Sequence, residues 1–161
     1  MHIVERARHI ANLHLDESER RLPGTWDAFE TGVHMILAQG AVTANANVLT
    51  AQLVERTGAR VPGLDVLHLT HAFPPPEVLA TADLRAVGLS RAQATTVRAF
   101  ANAVANDAIR LDRSAGLEAL IASLTAIDGI KMQTAYELAL RLGEREALLL
   151  RLRLAAARTA A

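Results

Sequence analysis

The segment Leu124-Thr-Ala-Ile-Asp-Gly-Ile-Lys-Met-Gln-Thr-Ala135 constrains the fold more than any other part of this chain. Before it, Leu117, Leu120, Ile121 and Leu124 recur at helical spacing. After it, Ala135, Leu138, Ala139 and Leu142 do the same. Between the two stripes stands Gly129, the residue type that takes positive φ without a steric penalty. The pattern predicts two helices, joined by a turn of two or three residues, with Gly143 ending the second. Each helix offers one apolar face, so the chain must supply other helices to cover them.

Composition says that it can. Hydrophobic residues make up 51% of the 161, and aromatics only 3%. Small and straight apolar side chains favour helices, so an all-α protein is expected. The length suits one domain, and a chain of this size buries about 70% of its unfolded surface without a covalent staple. The absence of cysteine excludes disulfides and thiolate zinc sites. No apolar run reaches the roughly 18 residues that span a bilayer, and the Met1 end lacks a signal-peptide pattern. A soluble, cytoplasmic monomer is the expectation, with no membrane partner.

Along the chain, Ile3, Ala7, Ile10 and Leu13 predict a helix over 2–14, followed by a charged linker over 16–21. Thr25 is read as the cap of the next helix, with Asp27 and Glu30 in its first turn. Phe29, Val33, Ile36 and Leu37 form its stripe, and Gly40 interrupts it. Thr43 starts a helix that runs to Thr57, where Gly58 is expected to be left-handed. Pro62, Gly63 and the prolines at 74–76 keep 58–76 irregular. Pro76 opens a short helix over 77–82, and another over 84–87 stops at Gly88. Ser90 and Gln93 form a capping box for a helix carrying Val97, Ala101 and Val104. Trp26 and Phe29 read as core anchors, His34 as a buried or rim histidine, and Arg91 and Arg98 as solvated. The domain reading is a helical unit over 1–143, its hairpin at about 117–142, and a divergent tail over 144–161. From Ala147 onward that tail holds only Leu, Ala, Arg and one Thr, with no acid.

The net charge is +0, which argues against binding dominated by counterion release. A helix amino end needs little formal charge to hold an anion. After Gly129, the N–H groups of Ile130, Lys131 and Met132 are placed to meet a phosphate oxygen, and Lys131, the only lysine, adds a point charge. A plain corner between two helices fits the same residues. His68 and His71 have metal-ligand spacing but no third ligand in view, so neither a metal nor a cofactor is expected.

Four segments in order carry a resemblance: 22–30 (Leu-Pro-Gly-Thr-Trp-Asp-Ala-Phe-Glu), 36–43 (Ile-Leu-Ala-Gln-Gly-Ala-Val-Thr), 73–93 and 124–135. Together, over about 22–146, the chain resembles the helix-hairpin-helix (HhH-GPD) DNA glycosylases, nearest to their 3-methyladenine DNA glycosylase II branch. The resemblance implies a helical bundle lacking the amino-terminal β-domain and the closing carboxy-terminal helices of longer members. It implies duplex DNA as partner, with Gly129, Ile130, Lys131 and Thr134 at a phosphate, and Gln39 and Gly40 at the minor groove. Gln133 and Tyr136 fall at the base pocket. The implied activity is base-excision repair of alkylated bases, by base flipping and hydrolysis of the N-glycosidic bond.

Several positions depart from that pattern. The aspartate that would stabilise the sugar cation is matched by Leu152, and no acid follows Glu146. Lys131 replaces the second hairpin glycine, Asp128 replaces a proline, and Gly40 leaves no wedge side chain. The tail reads like the product of a shifted frame or a degenerate end. The expectation is therefore a glycosylase-like protein with no catalytic residue of its own, inactive or impaired. A non-catalytic module for duplex or damaged DNA is one alternative; a helical interaction protein or incomplete fragment is another.

Overall fold

The computed structural model describes residues 25–39, 43–63, 70–144 and Ala147. The helix expected over 2–14, the charged linker, Gly40, His68, Glu146 and Leu152 lie outside the described residues, as does the tail apart from its first residue, Glu144, and Ala147. Among the described residues six α-helices follow one another: α1 (Ala28–Ala38), α2 (Thr43–Thr57), α3 (Pro76–Thr81), α4 (Arg91–Ala105), α5 (Leu117–Thr125) and α6 (Met132–Arg141). Among the described residues there is no strand, and no helix is long and apolar enough to cross a membrane.

Helix α1 is the hub, packing on α2, α4 and α6, while α3 lies on α4 and α5 on α6. Its stripe of Phe29, Val33, Ile36 and Leu37 is buried, as the spacing predicts. The approach of α4 is close because Gly32 has no side chain: a Cβ there would lie 2.6 Å from Cζ of Phe100. The Phe29 ring stacks on Phe100 with centroids 5.5 Å apart and meets Phe73 edge-on at 6.0 Å. Leu53, Leu79, Leu84, Val97 and Leu124 complete a core in which each such side chain contributes roughly 1.5–3 kcal/mol by leaving water.

Local details correct several expectations. Asp27, not Thr25, caps α1: its Oδ1 accepts the Glu30 N–H at 2.8 Å. The Thr25 hydroxyl instead donates to the Asp27 carbonyl at 2.6 Å. Trp26 is fully exposed, because it precedes the cap and so falls outside the helical register of the α1 stripe. Gly58 is not left-handed. It is needed for a close approach, since a Cβ would stand 2.2 Å from the Ala72 carbonyl oxygen. That approach arises because the 58–76 loop doubles back through an antiparallel bridge between Arg60 and His71. Residues 84–87 form turns rather than a helix; Asp83 Oδ1 draws the Arg85 and Ala86 amides onto itself, at 3.1 and 3.3 Å. Arg98 is half-buried and donates to the Ala82 carbonyl at 2.8 Å, tying α4 to the end of α3. The Ser90–Gln93 capping box forms as read.

Candidate nucleic-acid interface

Helix α5 ends at Thr125 and α6 begins at Met132, so six residues connect them rather than two or three. Gly129 sits in this turn with φ 90°. The turn is held from two sides. From α4, the buried Thr96 hydroxyl donates to the Asp128 carbonyl at 3.0 Å. From the end of α1, Gln39 uses both ends of its side-chain amide. Its Oε1 accepts from the Lys131 N–H at 2.8 Å and from the Thr134 hydroxyl at 2.9 Å. Its Nε2 donates to the carbonyls of Gly129 at 3.1 Å and Ile36 at 3.2 Å. Nothing in the spacing of Ala94, Thr95 and Thr96 marks one threonine as a brace; only the fold selects it.

This geometry redistributes the amides. The Ile130 N–H donates to Ile127 at 3.1 Å and the Lys131 N–H to Gln39, so both have internal partners. Lys131 is the cap residue of α6 and no side chain caps that helix. The donors open to an outside acceptor therefore start at Met132, one to two residues later than the sequence suggests. Lys131, Met132 and Gln133 are exposed around them, and so is Asp128. The partial positive charge of the α6 amino end, with the Lys131 ammonium, suits an anion, which Asp128 opposes.

The other expected site residues are less concentrated. Gln133 is exposed and its Nε2 donates to Glu137 Oε1 at 3.0 Å. Tyr136 packs half-buried against the core. Neither lines the cleft at the far end of α1, where Trp26, Asp27, Glu30, His34 and Arg141 meet. There, burial pushes the Glu30 carboxyl above its usual range, Asp27 adds to the shift, and His34 opposes it. Nδ1 of the half-buried His34 lies 3.2 Å from Thr50 Oγ1. His71 pairs with the neighbouring Thr70 hydroxyl at 2.9 Å, and among the described residues no group of three possible ligands could hold a metal.

No family model matches the chain. It is 36% identical over 124 residues to "DNA-3-methyladenine glycosylase 2" of Escherichia coli, covering 75% of this chain and 43% of that protein. It is 32% identical over 129 residues to the "Probable bifunctional transcriptional activator/DNA repair enzyme AlkA" of Mycobacterium tuberculosis, covering 80% of this chain and 26% of that one. Its fold matches a 3-methyladenine DNA glycosylase from Archaeoglobus fulgidus with a TM-score of 0.62 and 25% identity, over 84% of this chain and 49% of that chain. The chain thus spans less than half the length of each of these relatives. The likenesses in sequence and in fold agree: the chain belongs to the helix-hairpin-helix DNA glycosylase family.

Proposed function

We propose that this chain binds duplex DNA through the Gly129 turn and the start of α6, as a glycosylase-type domain for alkylated bases. The observation that carries the reading is the two-sided brace. Gln39 and Thr96 fix a turn that leads into an uncapped helix amino end. A preorganised ring of N–H donors binds a phosphate oxygen without first ordering the chain. Lys131 contributes a charge beside them. Gln39 enters the minor groove only at the expense of its hydrogen bonds to the turn, so its role here is to hold the hairpin.

Excision itself needs a carboxylate where positive charge develops on the sugar. Leu152 stands at the matched position and cannot supply one. Glu137 is spoken for by Gln133, and a carboxylate displaced by several ångströms loses most of its effect. The chain by itself is therefore impaired in bond cleavage while retaining affinity for duplex. A non-catalytic damage-binding role rests on the same leucine.

Incubation with duplex containing 3-methyladenine or hypoxanthine tests both halves. Binding without release of free base agrees with the proposal. Base release well above background overturns the impairment. Failure to bind any duplex at low salt overturns the DNA role and favours an interaction protein.

A further inference from the structure

We infer that the groove lined by Arg85, Arg91 and Arg98 is a second phosphate-binding site, serving the sugar–phosphate backbone of the same duplex. It rests on the duplex binding proposed above. Arg91, Ala94, Thr95 and Arg98 follow the i, i+3, i+4, i+7 rule and form one face of α4. Arg85 lines the same groove from the turn after α3, and this open groove has a volume of about 580 Å³. Ala94 is buried and small, so the floor stays open between the guanidinium groups.

Three like charges around one groove are unfavourable without an anion, and the chain as a whole has net charge +0. Arg98 is fixed by its bond to Ala82, which presets one guanidinium. Arg85 and Arg91 are exposed, and among the described residues neither is in an ion pair. Asp83, the nearest acid in sequence, spends Oδ1 on two backbone amides. The α4 amino end is closed by its own capping box, so the groove would act through side chains. Guanidinium groups suit phosphate because they donate in a planar fork.

Position ties the groove to the hairpin. Thr95 lines the groove, and the next residue, Thr96, touches the Gly129 turn. Successive helical residues are about 100° apart, so groove and turn occupy neighbouring sides of α4. One nucleic-acid strand crossing the turn continues into the groove.

The test titrates a fluorescent duplex over a range of salt with the full chain and three variants. In R85A/R91A the slope of log affinity against log salt falls by about 1–2, since each lost phosphate contact removes about 0.9. R85K/R91K keeps most of that slope. A charge-matched control, R56A/R110A, leaves it unchanged. The far-ultraviolet spectrum and thermal midpoint of each variant verify folding. Wild-type chain that binds no duplex sinks the parent proposal. Wild-type binding that R85A/R91A leaves unaltered, in affinity and slope, sinks this inference alone. Equal loss in the R56A/R110A control also sinks it, by making the effect one of bulk charge. Inorganic phosphate that shifts the Thr95 and Arg91 amide resonances, with no change of DNA slope in R85A/R91A, overturns it in favour of a small-anion site.

Discussion

The Cβ that Gly129 lacks would stand 2.1 Å from Oγ1 of Thr96. Two separate constraints thus fall on one residue, because its φ of 90° already disfavours any side chain. Gly129→Ala is expected to cost about 2–4 kcal/mol, from left-handed strain together with overpacking. Thr96→Ala alone leaves the Asp128 carbonyl without its donor and costs about 1 kcal/mol. The double variant relieves the clash but not the backbone strain, so its loss is smaller than the sum. Denaturant unfolding of the four proteins measures this; strict additivity would show that the two residues do not touch.

Gln39 holds the turn from the opposite side, and its loss is local before it is global. Gln39→Ala frees the Lys131 amide and strands the buried Thr134 hydroxyl, at about 1–3 kcal/mol. Amide hydrogen exchange at Lys131 is expected to quicken more than at Leu138, in the middle of α6. Gln39→Glu keeps the acceptor but loses both donations to carbonyls and brings a negative charge to the turn. It is expected to weaken duplex binding more than Gln39→Ala does. The opposite order would mean that Gln39 contacts the DNA directly.

What the sequence disclosed about this turn was its existence, not its fastening. Periodicity located α5 and α6, and Gly129 announced positive φ, because both signals are local. The brace depends on residues some 32 and 92 positions away, and no spacing rule links Thr96 or Gln39 to the hairpin. Resemblance alone marks Gln39, and as a groove-probing residue rather than a clamp. Gly58 shows the same limit. A glycine after a helix suggests a left-handed end, yet here it serves a contact with Ala72 that only the folded loop creates. Trp26 shows the converse: hydrophobicity suggests burial, but its place before the cap takes it out of register.

The α1–α4 contact gives a further test of close packing. A Cβ on Gly32 meets two carbons of the Phe100 ring, at 2.6 and 2.8 Å. That ring is wholly buried and stacked on Phe29, so it has little room to yield. Gly32→Ala gains about 1 kcal/mol of helix propensity and loses about 1–3 kcal/mol to overpacking. The net expectation is a modest loss. In a Phe100→Leu background the same change is expected to become neutral or stabilising. Thermal unfolding of the four-member cycle checks the coupling, and a zero coupling energy would place the strain elsewhere.

Glu30 gives the molecule a pH dependence whose sign is fixed by its surroundings. Burial raises its carboxyl above the ordinary value of 4.5, Asp27 raises it further, and His34 works against both. A group raised in the folded state binds its proton more tightly there than in the unfolded chain. Its contribution is full below about 4.5 and is lost as pH rises through the folded value. Glu30→Gln removes that loss, so the variant is expected to gain on the wild type as pH goes from 4 to 7. The gain is small, since Glu30 is only partly withdrawn from water and solvent screens it. A competing effect favours the charged form, because Glu30 lies in the first turn of α1, where the helix dipole is positive. Thermal midpoints of both proteins across that range decide between them. A variant that falls progressively below wild type toward pH 7 would show the dipole outweighing burial at this residue.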